Sequence, residues 1–383
     1  MRKTVGKITK VYLGGLDGKM NLFLLDNNRK PQILFNDLVI ERDVCNLSCS
    51  YCLSNESPFD ANGKGTYMNY SENSQFGNNL IQVINSFDDV FNASILRLSG
   101  GELFLIKGIE KFIYHCSRSY EKVQVITNGT MLNKDIIQSL ADMGNCSLHF
   151  SLDGNTLKMN GYRVNNIHIQ NKILNNIEYC VSKNIDVEIG SVLTDRNTRS
   201  FQSFIEYMLK NYNDSVTLYP FPIRGKNAQR FYPNNEDIGE FENILKNYKN
   251  YAAVLPPKGY IEVLYNILKK KKRELPCKLP IFAIQLFDDG TVTPCPNTWT
   301  TISGNILDRD QCYNNLINEK LYDILLQKRP RVECCKECYT SMDIVNLYLS
   351  GYISEEEILS IPLYKGEKAK RYIKKLKESI NEK

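Results

Sequence analysis

Three cysteines fall within eight residues, in Cys45-Asn46-Leu47-Ser48-Cys49-Ser50-Tyr51-Cys52, a C-x3-C-x2-C spacing. Three thiolates on one short loop can hold three corners of a cubane iron–sulfur cluster. No fourth cysteine lies nearby in sequence, so the fourth iron would keep an open position, as a catalytic zinc site does. An open iron on a low-potential cluster can bind a ligand and pass it one electron. The rival reading of the same thiols is a zinc knot completed by a distant residue.

A second set lies in the last third of the chain. Cys277 is followed by Gly290 and Cys295, and Cys335 and Cys338 form a C-x2-C pair, with Cys334 next to Cys335. Two pairs of thiolates suit a structural zinc ribbon or a fully ligated cubane. Cys116, Cys146 and Cys180 sit on apolar patterns and read as buried small hydrophobes. Cys312 and a spare thiol of the second set are candidates for hydrogen-atom donation. His115, His149 and His168 have no serine or carboxylate context for a hydrolytic triad, and His149 reads as a satisfied core residue.

Composition bounds the remaining possibilities. The chain has 383 residues, 42% hydrophobic and 24% charged, with 48 Lys/Arg against 43 Asp/Glu, a net +5. That balance is globular and too dilute in positive charge to argue for nucleic acid. Twelve cysteines in a chain of this size call for metal, catalysis or burial rather than a disulfide scaffold. No apolar run is long enough to span a bilayer, and the basic start lacks a signal-peptide core, so a cytoplasmic protein without membrane partners is expected.

The elements that must position these residues follow a rhythm. Lys7–Leu13 and Met20–Leu25 predict a lead-in hairpin turned by Gly14-Gly15-Leu16-Asp17-Gly18. Short apolar runs then recur at 38–40, 95–98, 123–126, 148–152, 187–192 and 216–219, with helical patterns between them, such as Ile169, Ile173, Ile177, Cys180 and Val181. Strands alternating with helices imply βαβ units and a parallel sheet. Six units are fewer than the eight of a closed barrel. The expected fold class is α/β, a partial (β/α)6 TIM-like barrel with a small C-terminal α+β cluster module, its chemistry at the carboxyl ends of the strands. The expected division is a lead-in at 1–35, the barrel at 36–235, a helical linker at 236–274, the cluster module at 275–340 and terminal helices at 341–383. Lys269–Arg273 reads as a solvated helix end. The stripe Tyr372, Ile373, Leu376 and Ile380 reads as a helix docked on the domain.

With these residues in place, the sequence resembles the radical S-adenosylmethionine (radical SAM) enzymes. Their signature is this cysteine spacing with an aromatic residue before the third cysteine, here Tyr51. The resemblance extends to Gly100-Gly101-Glu102, which ends the second strand where that family carries its Gly-Gly-Glu motif. It implies that Glu102 holds the methionine ammonium. Asn128 in Thr127-Asn128-Gly129-Thr130, and Ser151 and Asp153 in Ser151-Leu152-Asp153-Gly154, are similar to the family's polar strand ends facing the ribose. Arg163 would pair with the methionine carboxylate and Tyr219 would pack on adenine. Cys277, Gly290, Cys295, Cys335 and Cys338 resemble the twitch module, the shorter form of the SPASM extension. It implies one auxiliary [4Fe–4S] cluster, with Cys334 leaving the ligand set open by one residue.

The resemblance implies reductive cleavage of S-adenosylmethionine at an open-iron [4Fe–4S] cluster, then hydrogen abstraction from a substrate carbon by a 5′-deoxyadenosyl radical. A reducing partner such as flavodoxin or ferredoxin would supply the electron. Enzymes with this extension commonly crosslink, epimerise or form thioethers in ribosomally made peptides. A peptide is therefore the first expectation, and dehydrogenation or epimerisation of a small polyol or aminocyclitol the second. A zinc-dependent nucleic-acid binder using Lys269–Arg273 and the basic tail is the non-enzyme rival.

Overall fold

The computed structural model describes residues 24–26, 30–41, 43–53, 69–225, 228–295, 304–308 and 335–381. Most of the expected lead-in hairpin, Cys312 and Cys334 lie outside these residues. Of the hairpin, strand β1 (Leu24–Leu25) is described, paired antiparallel to the start of β2.

Six parallel strands form the core of one sheet: β2 (Pro31–Ile40), β3 (Asn92–Gly100), β4 (Lys122–Thr127), β5 (Cys146–Ser151), β6 (Asp186–Leu193) and β7 (Val216–Pro222). Each apolar run of the sequence is one of these strands. They are near-continuous because the sheet is covered on both faces. Helices α1 (Gln75–Val90), α2 (Ile109–Ser117), α3 (Lys134–Asp142), α4 (Ile167–Ser182) and α5 (Phe201–Tyr212) make the crossovers. Ile173, Ile177 and Cys180 of α4 are buried as their spacing predicts. Cys116 and Cys146 are buried as well. The first strand begins at Pro31, several residues before the apolar triplet Leu38-Val39-Ile40, because Ile33, Leu34 and Phe35 are fully buried too.

After β7 come α6 (Asn235–Lys246), α7 (Lys258–Lys270) and the single turn α8 (Leu279–Phe282), and then the chain returns to the sheet. Strand β8 (Ala283–Phe287) pairs parallel to β2, placing Phe35 opposite Ala283 and Val39 opposite Phe287. β9 (Thr291–Thr293) and β10 (Gly304–Asn305) extend the same edge antiparallel. The hairpin of the second cysteine set therefore continues the barrel sheet on its first strand. Gly290 makes its turn at φ 85°, which a side chain would strain.

Three further helices close the chain: α9 (Asp343–Leu349), α10 (Glu355–Ser360) and α11 (Glu367–Asn381). In α11, Tyr372, Ile373 and Leu376 are buried, and the Tyr372 hydroxyl donates to the Ile281 carbonyl at 3.1 Å. The terminal stripe is a docked face. The charge run behaves otherwise than expected at one residue: Lys269 to Lys272 are exposed, but Arg273 is 1% exposed. Its guanidinium pairs with Asp343 at 2.6 Å and donates to the carbonyls of Leu275 and Cys338. Spacing along a helix cannot reveal this, because its partners come from segments on both sides of the second cysteine set.

Candidate active site

The cysteine loop leaves the carboxyl end of β2 and is seated on the ends of the next strands. Gly100 closes β3 so near to β2 that a Cβ there would meet the Ile40 carbonyl at 2.0 Å, so only glycine permits the approach. The next two N–H groups hold the loop entrance: Gly101 donates to Glu41 at 3.3 Å and Glu102 to Val44 at 2.8 Å. Ser50 donates to the Tyr162 carbonyl at 3.0 Å, tying the loop to the segment after β5. Cys45 is exposed, and Cys49 and Cys52 are half-buried.

Donors converge on these sulfurs. The Leu47 N–H and the Asn128 amide point at Cys45 from 3.5 and 3.8 Å, and the Arg163 guanidinium points at Cys49 from 3.9 Å. Burial pushes the Cys49 thiol up, and Arg163 opposes this. A bound iron would reverse that balance, since a coordinating thiol is deprotonated outright. The donor set therefore fits thiolates held to metal. Among the described residues no three cysteine, histidine or carboxylate side chains converge as the ligands of one ion do. A cubane spreads its ligands over separate irons, so wider spacing suits it.

The residues expected around the cofactor lie at this face, and several are already engaged within the protein. Glu102 is 2% exposed. Its carboxylate accepts from the Thr127 hydroxyl at 2.7 Å, the Asn128 N–H at 2.6 Å and the Phe104 N–H at 3.3 Å. Burial raises its pKa and these bonds oppose the rise. Asp153 pairs with Arg163 at 3.1 Å and accepts from the Val192 N–H and the Tyr51 hydroxyl. Arg163 also lies 5.3 Å from the centre of the Tyr51 ring. Half-buried Tyr51 and Arg163 thus form one knot with buried Asp153 behind Cys49. Ser151 ends β5, half-buried opposite Gly190. Tyr219 is buried below the mouth, parallel to Phe221 with ring centres 6.5 Å apart.

Beside the loop the strand ends enclose a cavity of about 270 Å³, lined by Tyr51, Gly100, Phe221, Arg224 and others. Its far wall is Tyr339-Thr340-Ser341-Met342, directly after Cys338. The floor is polar, and sequence reading missed it. Asp37, Arg97, His149 and Gln285 line the cavity from β2, β3, β5 and β8. Arg97 lies 3.8 Å from Asp37 and donates to Gln124 at 3.0 Å; Gln124 donates to Glu188 at 2.9 Å, and His149 meets Glu188 at 3.1 Å. Burial raises the Asp37 pKa and Arg97 opposes it. The available signal was a polar or charged residue inside several apolar strands: Asp37 in β2, Arg97 in β3, Gln124 in β4, His149 in β5 and Glu188 in β6. His149 is hydrogen-bonded as a core residue would be, yet it also faces the cavity.

The second cysteine set is buried throughout: Cys277 is 4% exposed, Cys295 6%, Cys335 5% and Cys338 3%. Arg224 donates to the Cys338 sulfur at 3.4 Å and the Asn346 amide to the Cys277 sulfur at 3.9 Å. Asn346 is held by Asp343 at 2.7 Å, so the Arg273–Asp343 pair supports this set. These donors also fit thiolate sulfur.

A parallel sheet that presents a cysteine loop at the mouth of a strand-end cavity defines an α/β enzyme with a metal-cluster site. Residues 42–208 match the family model described as the Radical SAM superfamily. That segment holds Cys45, Cys49, Cys52 and Glu102 and is similar to the superfamily's members, which use a [4Fe–4S] cluster and S-adenosylmethionine. It is 24% identical over 294 residues to a GTP 3′,8-cyclase of Clostridium botulinum, covering 73% of this chain and 87% of that one. Streptococcus suis SuiB bound to S-adenosylmethionine superposes with a TM-score of 0.56 at 13% identity, over 80% of this chain and 72% of that chain. SuiB bound to precursor peptide SuiA gives 0.54 at 14%, over 80% and 71%. anSMEcpe with bound AdoMet gives 0.57 at 14%, over 87% and 99%. These likenesses show a shared fold.

Proposed function

We propose that this enzyme cleaves S-adenosylmethionine reductively at a cluster held by Cys45, Cys49 and Cys52, and directs the resulting radical at a carbon of a ribosomally made peptide. When bound, the cluster and cofactor together supply a 5′-deoxyadenosyl radical. The observation that carries the reading is the meeting, at one strand-end face, of the accessible cysteine loop, the Gly100-Gly101-Glu102 seat and the cavity. Asn128 and Arg163 hold the loop's sulfurs, and Tyr51 and Gly100 border the cavity where substrate must meet cofactor. Ser151 and Asp153 would face the cofactor ribose from the end of β5, and Tyr219 would pack on the adenine. Glu102 acts on the cofactor's ammonium through the acceptor capacity that its three internal donors leave. The cavity walls exclude water and fix the target carbon close to the radical.

Cys277, Cys295, Cys335 and Cys338 hold an auxiliary [4Fe–4S] cluster in a twitch-like module at about 275–340. A cytoplasmic location and a flavodoxin or ferredoxin as electron donor belong to the same reading. No helix among the described residues is long and apolar enough to cross a membrane. The match of residues 42–208 to the Radical SAM superfamily favours this reading over the zinc-dependent nucleic-acid binder.

The fold shared with SuiB, a protein solved with its precursor peptide, supports the peptide substrate. The polar floor of Asp37, Arg97, His149 and Gln285 favours a second reading, a small polar molecule such as a polyol or aminocyclitol. The test is anaerobic reconstitution with iron and sulfide, reduction by dithionite and chromatography of the products. The wild type should form 5′-deoxyadenosine, and the protein with Cys45, Cys49 and Cys52 all changed to Ala should form none. Equal yields would sink the assignment. Deuterium passing into 5′-deoxyadenosine from a labelled precursor peptide supports the first substrate, and transfer from a labelled polyol the second.

A further inference from the structure

We infer that Arg224 tunes the auxiliary cluster, its guanidinium raising the reduction potential by hydrogen-bonding the Cys338 sulfur. This rests on the auxiliary-cluster reading above and extends it to a residue outside the cysteine set. Arg224 lies two residues beyond the end of β7, half-buried, with Nη1 3.4 Å from the Cys338 sulfur. A guanidinium is always protonated and has no acceptor, so it can only donate, and it carries its charge to the sulfur. Negative charge on cluster sulfurs grows on reduction. A cation fixed beside one of them therefore favours the reduced state.

Two neighbouring groups are committed elsewhere or carry no charge. Arg273 gives its Nη1 to the Cys338 carbonyl at 2.7 Å and its charge to Asp343 at 2.6 Å. Asn346, 3.9 Å from the Cys277 sulfur, is a neutral amide. Position matters as much as charge. Arg224 lines the cavity, and the chain that follows Cys338 is the cavity's far wall. The tuned sulfur thus belongs to the ligand nearest in sequence to the substrate wall.

The test uses full-length protein carrying Cys45, Cys49 and Cys52 all changed to Ala, so that the second set alone holds iron. Iron and sulfide are counted, and the midpoint potential is followed by electron paramagnetic resonance. It compares Arg224 with Arg224→Lys, Arg224→Gln and Arg224→Leu. The expected result is the same iron content in all four, with the potential falling in the order Arg, Lys, Gln, Leu. A purely structural role would not move the potential of a fully loaded cluster. Full iron with an unchanged potential in Arg224→Leu would overturn the tuning and leave the auxiliary cluster standing. Loss of iron from every Arg224 variant would make Arg224 a structural support and also overturn it. A parent protein without iron would overturn the auxiliary cluster and this inference together. If Arg224→Leu alone fails to fold, the Lys and Gln variants decide the order.

Discussion

The two cysteine sites are built on the same device and differ in access. Each is backed by an arginine–aspartate pair: half-buried Arg163 with Asp153 at 3.1 Å behind Cys49, and fully buried Arg273 with Asp343 at 2.6 Å beside Cys338. In each, an amide and a guanidinium point at separate sulfurs. Yet Cys45 is exposed and its partners half-buried, while all four cysteines of the second set are at most 6% exposed. Three accessible thiolates leave an iron that a cofactor can reach. On the proposed reading, four buried ones would complete the coordination and keep reagents out. A chemical site and an auxiliary cluster would then share donor chemistry and be set apart by burial.

The largest expected effect separates the sites outright. With Cys45, Cys49 and Cys52 changed to Ala, S-adenosylmethionine cleavage should stop while about four irons per chain remain in one cubane. With Cys295 and Cys338 changed to Ala, slow cleavage should persist, the second site should lose its iron, and residues 275–340 should loosen toward proteolysis. Mössbauer spectroscopy and metal analysis check both arms. Zinc in place of iron in the triple variant, or no cleavage by the double one, would dissolve the distinction.

Next in size are the supporting pairs. Arg273→Met leaves Asp343 buried without its partner, and breaking such a pair typically costs about 3–5 kcal/mol. Arg163→Met strands Asp153 similarly; each carboxylate keeps two other donors, the Tyr51 hydroxyl and Val192 N–H at Asp153 and the Asn346 amide and Thr340 N–H at Asp343, but the Arg163 side chain is 14% exposed where that of Arg273 is 0%. Thermal denaturation should therefore show a smaller loss for Arg163→Met than for Arg273→Met. Equal losses would mean that the difference in burial carries no weight.

What the sequence revealed follows the same line between local and distant. The parallel strands were legible because burial on both faces writes each as a short apolar run. The first cysteine loop was legible because its ligands are neighbours in the chain. The polar floor was not, since Asp37, Arg97 and Glu188 lie on different strands and each reads alone as an interruption. Arg273 was hidden inside a lysine run whose other members are solvated. The pairing of β8 with β2 joins segments about 250 residues apart, and no periodicity reports it. Glu102 was legible as a motif residue, but its three internal donors were not.

Those donors set the smallest prediction. Glu102→Ala would strand the Asn128 N–H, a buried donor, at about 1–3 kcal/mol, and so would confuse cofactor grip with loss of fold. Glu102→Gln separates them. Its amide oxygen can still accept from the Asn128 N–H, while its NH₂ can donate to the Thr127 hydroxyl oxygen, so the 3.3 Å contact to the Phe104 N–H is the bond lost. Stability should fall by about 0.5–1.5 kcal/mol at most. Burial raises the Glu102 pKa above its ordinary 4.5. The native state thus binds a proton more readily than the unfolded chain, and wild-type stability from this group is full below that value and lost as pH rises through the raised one. The melting gap between wild type and Glu102→Gln should accordingly narrow with rising pH. Calorimetric titration of the iron-loaded variant should show S-adenosylmethionine binding weakened about tenfold, because a neutral amide replaces an acceptor for a cation. Unchanged affinity with the stability loss present would make Gly100-Gly101-Glu102 solely the seat of the cysteine loop.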